Sequence, residues 1–206
     1  MIERGRIVEH LKRRSRTLLA ALAAVIVLVV VLASFHGSQA ATPAVEFVPA
    51  SVSLTGDAPT ATVDVRVTGV HDLGAYEIEL AFDSSVVTVE RVDRVVGTAE
   101  QPSVGREWVS LPDPSSDTGY LQFAPGVITF GAYSFGANNP PGLDGDVTLA
   151  RLHLRAVGNG SSPLHLNRVE ITDTQAASQS LTGTDATVNA SGIQIRLFLP
   201  LIAGGR

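Results

Sequence analysis

The stretch that decides the architecture is Thr60–Val92, TATVDVRVTGVHDLGAYEIELAFDSSVVTVERV. Val63, Val65 and Val67 alternate with Asp64, Arg66 and Thr68. Tyr76, Ile78, Leu80 and Phe82 then alternate with Glu77, Glu79 and Ala81, and Val87 and Val89 follow, with Val92 beyond them. A period of two, in residues rich in valine and aromatics, is the signature of strands with one buried face. Asp83-Ser84-Ser85 supplies a turn between two such runs.

The same reading extends in both directions. Ile128, Phe130 and Ala132 alternate with Thr129 and Gly131. Leu149, Leu152 and Leu154 are set against Arg151, His153 and Arg155. Leu164 and Leu166 are set against His165 and Asn167, and Val169 and Ile171 against Glu170. The phase slips by one residue between Leu166 and Val169, which predicts a bulge. Gly56-Asp57-Ala58-Pro59, Asn138-Asn139-Pro140-Pro141-Gly142, Asp144-Gly145-Asp146 and Gly158-Asn159-Gly160 punctuate the runs. Few segments have a helical period. The prediction is all-β: an antiparallel β-sandwich of jelly-roll type with about nine strands over residues 45–197. Residues 97–126, with four prolines, read as a long loop.

The N-terminus is of another kind. Thr17–Ala33, TLLAALAAVIVLVVVLA, is uncharged and follows five basic residues between Arg6 and Arg16. It predicts one apolar helix in residues 1–40, either a signal peptide cleaved near Ala40 or an uncleaved membrane anchor. Residues 41–44 are a small-residue linker, and residues 198–206 a short apolar tail. In both alternatives the basic flank stays in the cytoplasm. The rest is expected to be extracellular or at the cell surface, and membrane contact is expected only through the N-terminal segment.

Residues 41–206 hold nine arginines, no lysine and 18 acidic residues, a net charge of −9. Such a domain is unsuited to nucleic acid, because phosphate contacts need positive charge. With no cysteine in the chain, disulfides, Cys-type zinc sites and thiol nucleophiles are excluded.

The order of these segments resembles the cohesin family, over about residues 45–190. Thr60–Val92 is similar to the family's second to fourth strands, including its aromatic-Asp turn at Phe82-Asp83. GVITFGAYSFG and GLDGDVTLARLHLRAV, within Pro125–Val157, are similar to the sixth and seventh strands. SPLHLNRVEITD, Ser162–Asp173, is similar to the eighth, and Thr184–Val188 fits the ninth. The resemblance implies a nine-stranded jelly roll and a non-catalytic module that captures a dockerin-bearing protein, in polysaccharide degradation or cell-surface assembly. A carbohydrate-binding module or a surface adhesion domain is the alternative, with a polysaccharide as partner.

The resemblance also implies a docking surface on the sheet of the third, fifth, sixth and eighth strands. Its candidate partner-binding residues here are Glu77, Glu79, Thr129, Tyr133, His165 and Asn167, with Tyr133 as anchor. No cofactor or metal is expected. Glu77 and Glu79 are two apart on an outward strand face and lack the cleft a glycosidase needs. His71, His153 and His165 lie on different segments, and Asp144-Gly145-Asp146 reads as a turn rather than a calcium loop. A last expectation comes from charge. The family's second and seventh strands are neighbours, so Asp64 should face an arginine of the 151–155 row.

Overall fold

The computed structural model describes residues 42–112 and 117–194. The apolar helix expected in residues 1–40 and the tail expected at 198–206 lie outside the described residues. Among those described there is no helix, and eleven strands form: β1 (Ala44–Val48), β2 (Ser51–Thr55), β3 (Thr60–Ala81), β4 (Val87–Arg94), β5 (Glu107–Leu111), β6 (Leu121–Ala124), β7 (Val127–Phe135), β8 (Leu143–Ala156), β9 (Gly160–Asp173), β10 (Thr182–Gly183) and β11 (Ala186–Ser191).

The long strand β3 organises the rest. Its first half pairs antiparallel with β1 and β8, and β8 pairs in turn with β4. Its second half pairs antiparallel with β7 and β9. Between them the register slips at Val67, Val70 and Leu73, and Gly69 and Asp72 take positive φ. The strand thereby passes from one layer of a β-sandwich to the other. The bend is braced by Asp144–Asp146, at the irregular start of β8, where Gly145 takes positive φ. The Asp72 backbone N–H donates to Asp144 (2.8 Å) and that of Gly69 to Asp146 (3.2 Å), and Arg66 donates to Asp146 (2.6 Å). The sequence reading of these residues as a turn is thereby corrected: they belong to a strand, and the Gly145 irregularity is what resembled a turn. β9 divides its pairing too: its first residues pair with β11, which runs parallel to β2.

The two layers close over one core. Val63, Val65, Val67, Ile78, Leu80, Ile128, Leu149, Leu152, Leu154 and Leu164 are all fully buried, which matches the inward phase of each sequence run. Each large aliphatic side chain so buried contributes about 1.5–3 kcal/mol relative to exposure. Tyr76 ties the layers together, its hydroxyl donating to the Leu149 carbonyl (3.1 Å). The predicted bulge is present: Glu79 pairs with Arg168 but Leu80 with Leu166, so Asn167 and Arg168 are both exposed.

One further expectation needs correction. Residues 97–126 are not one long loop, since β5 and β6 both pair with the outer edge of β7. Their sequences, EWVSL and LQFA, are too short to display a period among the surrounding prolines and glycines. Trp108 of β5 is buried against Gly97, where an added Cβ would lie 2.3 Å from the indole.

Candidate docking face

The outward residues of β9, β3 and β7, with β5 and β6 at the edge, make one surface. Its rows follow from the register. Thr172, Ala75, Tyr133 and Val109 lie side by side. The next row is Glu170, Glu77, Gly131 and Leu111, and the next is Arg168, Glu79, Thr129 and Leu121. Ala81 and His165 end the face. All six residues expected to bind a partner therefore belong to the outward side of one layer. They are spread out, however: Tyr133 and His165 pair with β3 residues six positions apart, about 20 Å along the strand.

The face has two halves. On β9 and β3 it is polar. Arg168 donates to Glu77, and Asn167 donates to Glu79 (3.1 Å). His165 lies 2.5 Å from Asp185, whose carboxylate also accepts the backbone N–H of Leu166. The Asp185 pKa is lowered: burial pushes it up, but the contacts with His165 and Leu166 outweigh that. Glu77 and Glu79 are thus held by hydrogen bonds to β9 rather than facing each other across a cleft.

On β7, β5 and β6 the face is apolar. Tyr133, Phe135, Leu111 and Leu121 are 42–49% exposed, and Phe123 is 72% exposed. The Tyr133 and Phe135 rings are in contact, with centroids 6.4 Å apart and planes tilted by 36°. Leu111 pairs with Gly131 and Leu121 with Thr129, so the two leucines occupy successive rows at the β7 edge.

The candidate Thr129 needs a correction. It points outward as expected but is only 9% exposed, covered between Glu79 and Leu121, and its hydroxyl has no hydrogen-bond partner. Leu111, Leu121 and Phe123 are the residues that sequence reading missed. They lie in the segment taken for a loop, and their exposure is visible only once β5 and β6 are placed. The signal available was the apolar alternation of Leu121 and Phe123 in a Pro/Gly-rich context, too brief to separate from chance.

The three histidines stay apart, each beside its own carboxylate: His71 with Asp144, His153 with Asp93 and His165 with Asp185. No cluster of metal-ligating side chains occurs among the described residues.

This arrangement, with a two-layer sandwich closed around one long crossing strand, has relatives among solved structures. The non-cellulosomal cohesin of the archaeon Archaeoglobus fulgidus superposes with a TM-score of 0.50 at 18% identity, over 73% of this chain and 91% of that one. The fold is the cohesin fold. A cohesin of Acetivibrio cellulolyticus, solved in complex with a dockerin, superposes at 0.53 with 12% identity, over 73% and 99% of the two chains. A cohesin module of a Clostridium perfringens family 33 glycoside hydrolase superposes at 0.52 with 9% identity, over 73% and 96%. No protein-family model and no curated protein matches the chain. The cohesin likeness resides in backbone architecture, at identities where sequence alone is nearly silent.

Proposed function

We propose that this cohesin-like chain is an extracellular, non-catalytic receptor that captures a dockerin-bearing protein on the β9–β3–β7–β5/β6 face. The observation that carries this reading is the apolar half of that face. Five large apolar side chains stand exposed beside an ordered polar half, the combination of anchor and rim found at protein interfaces. Solved cohesins of the same fold are complexed with dockerins, which supports a partner of that type. The basic flank and apolar run of the N-terminus support delivery outside the cell, whether secreted or anchored. A role in polysaccharide degradation or cell-surface assembly belongs to the same reading.

The carbohydrate alternative is less well supported. A flat polysaccharide surface is best met by a strip of coplanar rings, whereas Tyr133 and Phe135 are tilted against each other by 36°. The test is capture from the secreted proteins of the source organism by the purified chain, with a Tyr133→Ala/Leu121→Ser variant as control. Recovery of a dockerin-bearing protein by the native chain and not by the variant is the expected result. Equal recovery by both would mean that the partner docks elsewhere.

A further inference from the structure

A second recognition feature lies at the open side of the sandwich, away from the outward face just described. β4 is an edge strand, paired only with β8. Beside its free edge, between the layers, is a cleft of about 360 Å³, near the lower end of the range for small-ligand sites. It is lined by Arg91, Asp93 and Arg94 of β4, Ser110 of β5, Asp117, and Tyr76 and Phe130 of the core.

Arg94 is the unexpected member. It has the phase of Val92, which is buried in the core, so an arginine occupies an inward position of a strand. Its Nη1 is buried and has no hydrogen-bond partner. Among the described residues no carboxylate forms an ion pair with it. Asp93 reaches the rim of the cleft but is committed to Arg91 (2.8 Å) and His153 (2.7 Å). Asp117 lines the same cleft but makes no ion pair with Arg94. Tyr76 is buried, which raises its pKa, and the charge of Arg94 opposes that rise; its hydroxyl is already committed to Leu149. Arg94 as a whole is half-buried, but a guanidinium nitrogen buried without an acceptor is costly, because its desolvation is not repaid. Its planar fork matches a carboxylate. Ser110 and Asp117 add groups that can bond to hydroxyl or N–H donors of the same ligand.

We propose that this cleft binds a small carboxylate ligand, with Arg94 as its anchor and Ser110 and Asp117 as polar contacts. The carboxylate can come from an acidic sugar or from a peptide C-terminus, since the same fork serves both. This site is independent of the docking face, and its test does not involve a dockerin.

The experiment is calorimetric titration of the purified chain with D-glucuronate and with N-acetyl-L-alanine. D-glucose and N-acetyl-L-alanine amide serve as the neutral counterparts. At least one acid should bind saturably while its neutral counterpart does not, and the acid that binds identifies the source. Arg94→Met should weaken that binding about tenfold or more, the usual loss for a charge-assisted hydrogen bond. Thermal unfolding provides the second readout. Without ligand, Arg94→Met should melt at or above the native temperature, because it removes a buried nitrogen that has no acceptor. The acid should raise the melting temperature of the native chain and not that of the variant. Binding of neither acid to the native chain would overturn the proposal. So would equal binding by Arg94→Met, or a lower melting temperature of that variant, which would give Arg94 a structural role.

Discussion

The two outer faces of the sandwich are built from the same kind of strand but treat their side chains differently. On the β4–β8–β3 layer the outward residues answer each other. Arg151 forks Asp64 (2.7 and 3.1 Å) and reaches Glu100 (3.1 Å), Arg155 pairs with Glu90, and Asp93 holds both Arg91 and His153. The layer containing β7, β5 and β6 instead leaves Leu111, Leu121, Phe123, Tyr133 and Phe135 exposed. A face that satisfies its own charges has little to offer a partner. One that leaves anchors unburied offers free energy on association, which is why docking is assigned to the second face.

The sharpest way to break this comparison is to remove the anchors. Tyr133→Ala combined with Leu121→Ser should weaken partner binding by about 2–4 kcal/mol, mostly through faster dissociation. Both side chains are half exposed, so stability should change little. Surface plasmon resonance and thermal melting on the same samples measure the two effects. A large loss of stability with unchanged affinity would remove the distinction between the faces.

The reverse experiment is made on the ionic face. Arg151→Ala leaves Asp64 and Glu100 without their shared cation and should cost about 1–2 kcal/mol in urea unfolding, more than an ordinary surface pair because the contact is bidentate and joins three groups. Partner affinity should be unaffected. A drop in affinity would extend the docking surface to this layer.

Acid provides a third probe, directed at the bend that joins the layers. Asp72 accepts hydrogen bonds from Thr174 (2.6 Å) and Gly142 (2.6 Å), and these hold its pKa below the usual carboxylate value. A pKa lower in the folded than in the unfolded state means stability that is complete above the unfolded value, near 3.9. That stability is lost as pH falls through the folded value. Asp72→Asn should therefore flatten the decline of melting temperature below about pH 4. An unchanged acid limb would show that Asp72 does not stabilise the bend.

The smallest effect concerns the polar half of the docking face. Arg168→Ala removes the partner of Glu77, an exposed pair, and should change stability by about 0.5 kcal/mol or less. If Glu77 and Asn167 contribute to binding as proposed, the double replacement by alanine should cost about 1–3 kcal/mol of affinity with the fold intact. No change would confine the site to the apolar half.

Much of the fold was legible because burial imposes a phase. The inward residues of β3, β7, β8 and β9 were read correctly, as was the bulge at Asn167-Arg168, since a one-residue slip would turn a whole row to the wrong side. The Asp64–Arg151 pair followed from the same logic once β3 and β8 were taken as neighbours. The candidate site was legible on β3, β7 and β9, where the strands are long, and illegible on β5 and β6. EWVSL and LQFA contain too few residues for a period, and whether they pair depends on β7 offering a free edge. Thr129 was misjudged because alternation reports direction and not coverage by neighbouring strands.

What the sequence determined by itself was the class of structure, the inward face of each long strand, the acidic lysine-free surface and the distinct N-terminal segment. All of these are local patterns, set by the two-residue repeat and by charge. What only the tertiary structure decided is where β5 and β6 sit, which apolar residues remain uncovered, and that Arg94 turns inward with one buried guanidinium nitrogen unpartnered. These depend on which strands become neighbours, and a contact between residues far apart in the chain has no local period to betray it.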